Sequence, residues 1–415
     1  MSPREDPSAA PAAEPERPRI RLVPRLKDQG YDRPSVDRRR AWVEEKVDAE
    51  MPHVGRYTLD SERWRGNVEN PVGTVQMPLG VAGPLWVRGE HADGVHYVPL
   101  ATTEGALVRS YERGMVAITR SGGAEARVWI DRNRVGPVFH LSGVAEARDF
   151  ARRVESRIED LRAAAATTTR HGRLETVDCL PVGRRVIVDL GFHTADAQGM
   201  NMIVKAAEAV CRFVMREIGG EHYKIFSGYN GEKRAAGSLL RGGKGKKVTA
   251  GCVVPAQVVR SVLHTTPEGM LGLWHDTVLG HLTSGALGYN GHYANGLTAL
   301  FIATGQDVAN VANSSVGVTH FELTAEGDLS ASVTLPSLSV ATVGGGTSLG
   351  TSAECLDMLG CRGTGGARKL AEIAAATVLA GELSMGGAIA SGEFVDAHET
   401  YGRNRPETAS GEGSG

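Results

Sequence analysis

Residues 137–226 carry the clearest hydrophobic pattern in the chain: alternation predicts strands at 138–141, 174–180, 185–192 and 223–226, and helical periodicity predicts helices at 145–165 and 202–218. Strand, helix, strand, strand, helix, strand is the ferredoxin-like order, and about 90 residues suit one such unit inserted in a larger domain. Upstream, residues 37–51 read as a charged helix, and residues 79–100 alternate short apolar runs with Gly and Pro, as strands and turns do. Downstream, residues 278–305 and 367–390 are long, weakly charged and rich in Ala, Gly and Leu. Helices that are apolar all round are normally central ones. Residues 1–30 and those from Arg405 onward lack any apolar period and read as disordered tails. No internal repeat is visible.

A chain of 415 residues exceeds what one hydrophobic core usually serves, so two or three domains are expected. The 41% hydrophobic and 23% charged fractions are ordinary for a globular protein, and a net charge of −2 argues against a nucleic-acid or anionic-membrane partner. Five cysteines form no CxxC pair and read as buried thiols in a reducing cytoplasm. The sequence shows neither a leader nor a run of about 18 apolar residues, so no membrane span is expected.

Three Gly-rich segments are candidates for ligand contact. DAQGMNM at 196–202 closes a strand and opens a helix, where free backbone N–H groups can receive a phosphate. VGGGTS at 343–348 permits close backbone approach to a ligand, although a plain tight turn explains it nearly as well. GGKGKK at 242–247 suggests a phosphate loop but fails the Walker spacing, so a solvated basic turn is the better reading. No complete GxGxxG follows a strand.

Among ionisable residues, Glu104 sits in a weakly polar run and Asp307 follows a long apolar stretch. Carboxylates in such places either pair structurally or serve catalysis, and local reasoning leaves both open. By the same reasoning Lys233 is a surface lysine in a polar loop, and His398 a lone histidine near the C-terminus.

Taken as an ordered series, the segments resemble the HMG-CoA reductase family, specifically its eukaryotic-type class. The resemblance covers most of residues 65–403 and runs through ENPVG at 69–73, PLGVAGPL at 78–85, ATTEG at 101–105, DAQGMNM at 196–202, GYNGHYAN at 288–295, GQD at 305–307, TVGGGT at 342–347 and MLG at 358–360. It implies an α+β fold in which a large helical-core substrate domain (66–136 and 227–404) carries an inserted ferredoxin-like NADPH-binding domain (137–226), preceded by a small helical segment at 31–65. It also implies NADPH-dependent, four-electron reduction of HMG-CoA to mevalonate and CoA by a cytoplasmic homodimer or larger assembly with a shared active site and no metal.

Family roles transfer onto matching positions. Lys233 would stabilise oxygen as hydride reaches carbon, Glu104 would donate a proton, Asp307 would hold both in one hydrogen-bonded network, and His398 would protonate the departing CoA thiolate. Thr169 and Arg170 would meet the 2′-phosphate, and Asp196, Gln198, Gly199, Met200, Asn201, Met202, Gly344, Gly345 and Arg403 would complete the cofactor site. Arg134, Ser227, Arg234, His292 and Asn295 would bind substrate. Departures from the family pattern cluster at the acyl end: Val135 stands where an arginine would grip the distal carboxylate, and Leu239 replaces an asparagine. Those departures point to one alternative, the same chemistry on another acyl-CoA; a second, a non-catalytic CoA-binding homologue, is opposed by the presence of Glu104, Lys233, Asp307 and His398.

Overall fold

The computed structural model describes residues 22–25, 30–169 and 171–393. The two expected tails lie almost wholly outside them, as do Arg170, His398 and Arg403. By its contacts the chain divides into two compact units, Met1–Gln76 and Met77–Gly415.

The first unit is built on helix α1 (Arg33–Val47), which starts earlier than the charged pattern suggests because Pro34 sets its first turn. Its interior mixes Tyr31, Val36 and Trp64 with a buried arginine. Fully buried Arg39 donates to the carbonyls of Gly30 at 2.7 Å and Pro71 at 3.3 Å, and the Tyr31 hydroxyl donates to the Val68 carbonyl at 2.8 Å.

The second unit opens with the hairpin β1 (Leu79–Gly89) and β2 (Asp93–Ala101), helix α2 (Leu107–Arg120) and the long strand β3 (Ala124–Val135). There follow β4 (Val138–His140), α3 (Val144–Ser156), α4 (Ile158–Ala166), β5 (Arg173–Val182), β6 (Arg185–His193), α5 (Met200–Glu217) and β7 (His222–Lys224). The remainder comprises β8 (Gly245–Val254), α6 (Ala256–Leu263), α7 (Pro267–Ser284), α8 (Tyr293–Ala303), α9 (Val311–Ser314), β9 (Val318–Leu323), β10 (Leu329–Leu338), α10 (Gly350–Met358) and α11 (Gly366–Ser391).

Strands β4 to β7 pair antiparallel in the order β7-β4-β6-β5, with α3, α4 and α5 packed on the sheet, which is the ferredoxin-like arrangement. The helix expected over 145–165 is instead two helices, because Arg157 leaves helical geometry at φ −112° and ψ 32°. This sheet has its own core, from Val135 and Phe139 to Val214 and Ile218. Strand β3 joins it to the larger sheet by pairing with β6 at one end and with β8 along most of its length.

The larger core centres on α11, which is buried on nearly every side, as its uniform composition predicts. Gly114 of α2 lets the two helices touch, since a Cβ there would stand 1.8 Å from the Ala380 carbonyl oxygen. An 18-residue window of α11 has a mean hydropathy of 1.5, enough by length and composition for a membrane span, although no such run was expected. Burial accounts for that composition: 83% of the window lies inside the protein. Its two acids are satisfied by loops. Glu372 accepts the backbone N–H groups of Glu90, His91 and Ala92, and Glu382 accepts those of Gly291 and His292 together with the Thr319 hydroxyl.

Residues 278–305 form no single central helix. The left-handed Gly285 ends α7, Asn290 folds the Gly-rich link against the Ser315 and Gly317 carbonyls, and α8 alone is apolar throughout. Burial raises the thiols of Cys179, Cys252 and Cys361 to about 12, so they stay protonated at neutral pH.

Candidate active site

The loop before β8 places Lys233 in a left-handed conformation, φ 55°, with its backbone N–H given to Asn313 at 3.1 Å. Asn313 is itself fixed by the Ser337 carbonyl and the Ser339 hydroxyl, each at 3.0 Å. From that anchor the Lys233 ammonium meets Asp307 at 2.9 Å, and both side chains remain partly open to solvent. The hydrogen bond that the ammonium donates to Asp307 holds it above the usual lysine value.

Asp307 stands at the meeting point of the Gly-rich segments. A Cβ on Gly305 would lie 2.5 Å from the Gly346 carbonyl oxygen, so GQD and GGG approach backbone to backbone. The Gln306 amide clips the Ala341 backbone through both its N–H and its carbonyl. The N–H groups of Thr342 and Val343 donate to the Asp196 carbonyl at 2.9 and 3.2 Å, which brings DAQGMNM alongside. Gly344 and Gly345 face open space, with no atom within 4 Å of where a side chain would start.

DAQGMNM opens α5 through Gly199, left-handed at φ 69°, and no side chain caps the first helical N–H groups. The loop carrying Thr169 packs beside it: Gly172 and Gly199 both lie against the Met202 methyl, and Thr169 accepts the Gly172 N–H at 2.9 Å. Gln198 has a buried side-chain N–H₂ without a partner, the kind of donor a ligand completes. These features fit a dinucleotide with phosphates. Asp196 does not join them, because its carboxylate accepts Gly365 and Ala367 N–H groups at 3.0 Å and caps α11.

Glu104 is elsewhere. Its two oxygens accept from the Asn295 amide at 3.0 Å, in the first turn of α8, beside buried His292. Asp307 lies beyond the last turn of the same helix, whose 11 residues span about 16 Å at roughly 1.5 Å each. The expected network of Glu104, Lys233 and Asp307 is therefore two separate pairs within one chain.

Arg134, assigned to the substrate, pairs with buried Asp189 while its side chain stays 25% exposed, and Val135 is a core residue with no exposed surface. Leu239 likewise packs in the core, beneath the Gly231 turn. Ser227 donates to the Gly136 carbonyl at 2.6 Å, and Arg234 is exposed, reaching the Gly228 carbonyl at 3.5 Å.

The basic turn at 242–247 is the largest correction. Lys244 and Lys246 are 1% and 2% exposed. Lys244 pairs with Glu232 at 3.3 Å, and Lys246 pairs with Asp131 at 3.1 Å, where Arg368 adds a second contact at 2.9 Å. Burial alone would push the Asp131 carboxyl up; Lys246 and Arg368 outweigh it and leave it below the usual aspartate range. A run of lysines between glycines carries no local sign of burial, because the acids that receive them lie outside the run, Glu232 earlier in the same loop and Asp131 on β3.

Residues 35–403 match the family model of hydroxymethylglutaryl-coenzyme A reductase. The chain belongs to this family. Among HMG-CoA reductases it is 45% identical to the 3-hydroxy-3-methylglutaryl-coenzyme A reductase of Methanothermobacter thermautotrophicus, over 88% of this chain and 92% of that one. With the corresponding reductase of Aeropyrum pernix it shares 46% identity, covering 88% and 89%. Reductase 1 of Oryza sativa subsp. japonica is 40% identical over 82% of this chain and 66% of its own length. The fold is that of a class II 3-hydroxy-3-methylglutaryl-CoA reductase from Streptococcus pneumoniae solved bound to NADPH: TM-score 0.67 at 20% identity, covering 85% of this chain and 96% of that one.

Proposed function

We propose that this chain is an NADPH-dependent reductase that takes HMG-CoA to mevalonate and CoA. The observation that carries the reading is the Lys233–Asp307 pair at 2.9 Å, standing where GQD, GGG and DAQGMNM converge. When bound, NADPH would supply the hydride for each of the two reductions, of the thioester and then of the aldehyde. Lys233 faces the substrate oxygen with a full positive charge that Asp307 stabilises, so it offsets the negative charge that develops there. Glu104, oriented by Asn295, donates the proton that turns that oxygen into a hydroxyl. His398, outside the described residues, is assigned to protonating the CoA thiolate, as the family resemblance implies.

Within this reading, residues 137–226 are the cofactor domain, flanked by the substrate domain at 66–136 and 227–404. Gln198, Gly199 and the first N–H groups of α5 receive the phosphates, with Thr169 and Arg170 on the 2′-phosphate. The separation of Glu104 from Lys233 along α8 supports an active site completed by a second copy of the chain. Membership of the eukaryotic-type class is supported by 40% identity to the rice enzyme, against 20% to the class II enzyme of S. pneumoniae. A cytoplasmic location accords with five cysteines that are all free thiols.

The test follows NADPH oxidation with HMG-CoA, with acyl-CoAs lacking the distal carboxylate run in parallel and NADH as the alternative donor. Two NADPH consumed per mevalonate is the expected result. No turnover of HMG-CoA would end the proposal.

A further inference from the structure

Lys244 has no role in the chemistry above, yet it lies at the centre of the site's wiring. Its side chain is completely buried, and the ammonium touches two things: the Glu232 carboxylate at 3.3 Å and the Met200 sulfur at 2.9 Å. Glu232 is the immediate neighbour of Lys233, and Met200 is the first residue of α5. The flanking glycines make this placement possible. Gly243 and Gly245 are both left-handed, at φ 115° and 83°, and a Cβ on Gly245 would stand 2.3 Å from the Leu338 carbonyl oxygen.

We propose that Lys244 is a positioning residue: its buried ammonium holds the Glu232 carboxylate away from Lys233, leaving Lys233 to Asp307 and to the substrate oxygen. This rests on the reductase reading only for its effect on turnover. The physical reason is competition between two acids for one lysine. Both Asp307 and Glu232 act on the Lys233 ammonium, and Glu232 is tethered one residue away. An anion so placed, if released, draws the ammonium toward itself and lowers the charge available to a developing alkoxide. A buried ammonium without a counter-charge is strongly unfavourable, so Lys244 and Glu232 hold each other in place. Burial pushes the Lys244 ammonium below the usual lysine value, and Glu232 opposes that shift. Through Met200 the same ammonium registers where α5 begins, so the catalytic loop and the cofactor motif share one contact point.

The experiment compares Lys244→Met and Lys244→Arg with the wild-type protein by two readouts. The first is the rate at which an amine-reactive reagent labels Lys233, measured by peptide mass spectrometry. In Lys244→Met the freed Glu232 joins Asp307 around Lys233, strengthens its hold on its proton, and slows labelling by about fivefold. The second is steady-state turnover: Lys244→Met lowers kcat about tenfold with KM for NADPH within about twofold, while Lys244→Arg stays within about threefold of wild type. Melting temperature falls in Lys244→Met, because Glu232 loses its counter-charge, and less in Lys244→Arg, which keeps it. If that variant does not fold, Lys244→Gln takes its place in both measurements. Wild-type labelling rates in Lys244→Met would overturn the proposal, as would an unchanged kcat. A wild-type protein that does not reduce HMG-CoA would overturn the reductase reading instead, and the labelling comparison would still decide the role of Lys244.

Discussion

Asn295 and Asp307 stand at opposite ends of α8, and each holds a different member of the expected catalytic set: Asn295 binds Glu104 and Asp307 binds Lys233. A single chain thus presents one of the two pairs at each end of one helix. Two copies related by a twofold axis could bring the two pairs together twice.

Mixed assembly tests this directly. Glu104→Gln and Lys233→Ala are each expected to be inactive, yet the two variants unfolded together and refolded as a mixture should regain activity. In an exchanged dimer one of the two sites contains both wild-type residues, so recovery approaches about a quarter of wild type. A mixture as inactive as its components would place the whole site within one chain.

Lys233→Ala should lower kcat by about a thousandfold or more, the range for losing a charge aimed at a developing oxyanion. Its melting temperature should scarcely change, since the pair it breaks is partly exposed. Asp307→Asn should also reduce kcat, by less, and should move the basic limb of the pH profile downward. The sign follows from the hydrogen bond that now raises the Lys233 value: without the carboxylate the ammonium gives up its proton at lower pH. A basic limb that stays in place would remove Lys233 from the titrating step.

Gln198→Leu separates ligand binding from stability. Its buried amide N–H₂ has no partner, so replacing it should leave the free protein as stable or more stable by about 1 kcal/mol. Binding of NADPH should weaken about tenfold if that amide completes its hydrogen bonds on the cofactor. Calorimetric titration and thermal melting measure the two effects; equal affinity in both proteins would remove Gln198 from the cofactor site.

Asp131→Asn is expected to destabilise the fold by about 3 to 5 kcal/mol, because it leaves the buried Lys246 ammonium facing a neutral amide. The folded Asp131 carboxyl lies below the usual range, so its contribution is complete above the unfolded value of about 4 and is lost as pH falls through the lower folded value. Melting temperature should therefore fall more steeply with acidification in wild type than in Asp131→Asn. Parallel curves would show that Asp131 carries no pH-linked stability.

The inserted sheet was legible because its pattern is local. Phe150 and Val154 of α3, or Val186 and Val188 of β6, face one core at the period of their own element. The motif series was legible for the same reason, as residues such as Gly305 and Gly346 occur in short characteristic strings. What stayed hidden depends on partners outside the residue's own short string. Lys244 and Lys246 look solvated until Glu232, Met200 and Asp131 are brought to them. Asp196 looks like a ligand contact until α11 arrives to be capped. The separation of Glu104 from Lys233 follows from the straightness of α8 and from which of its ends each loop meets.

Helix α11 is the last element described, and almost everything in the larger core is packed around it. All ten strands leave the ribosome before the axis they close upon exists. The sheets can pair early, but this core must wait for its centre, so the larger domain completes its folding only once α11 has joined it. Until then a long apolar segment with the composition of a membrane span lacks the burial that the folded core gives it.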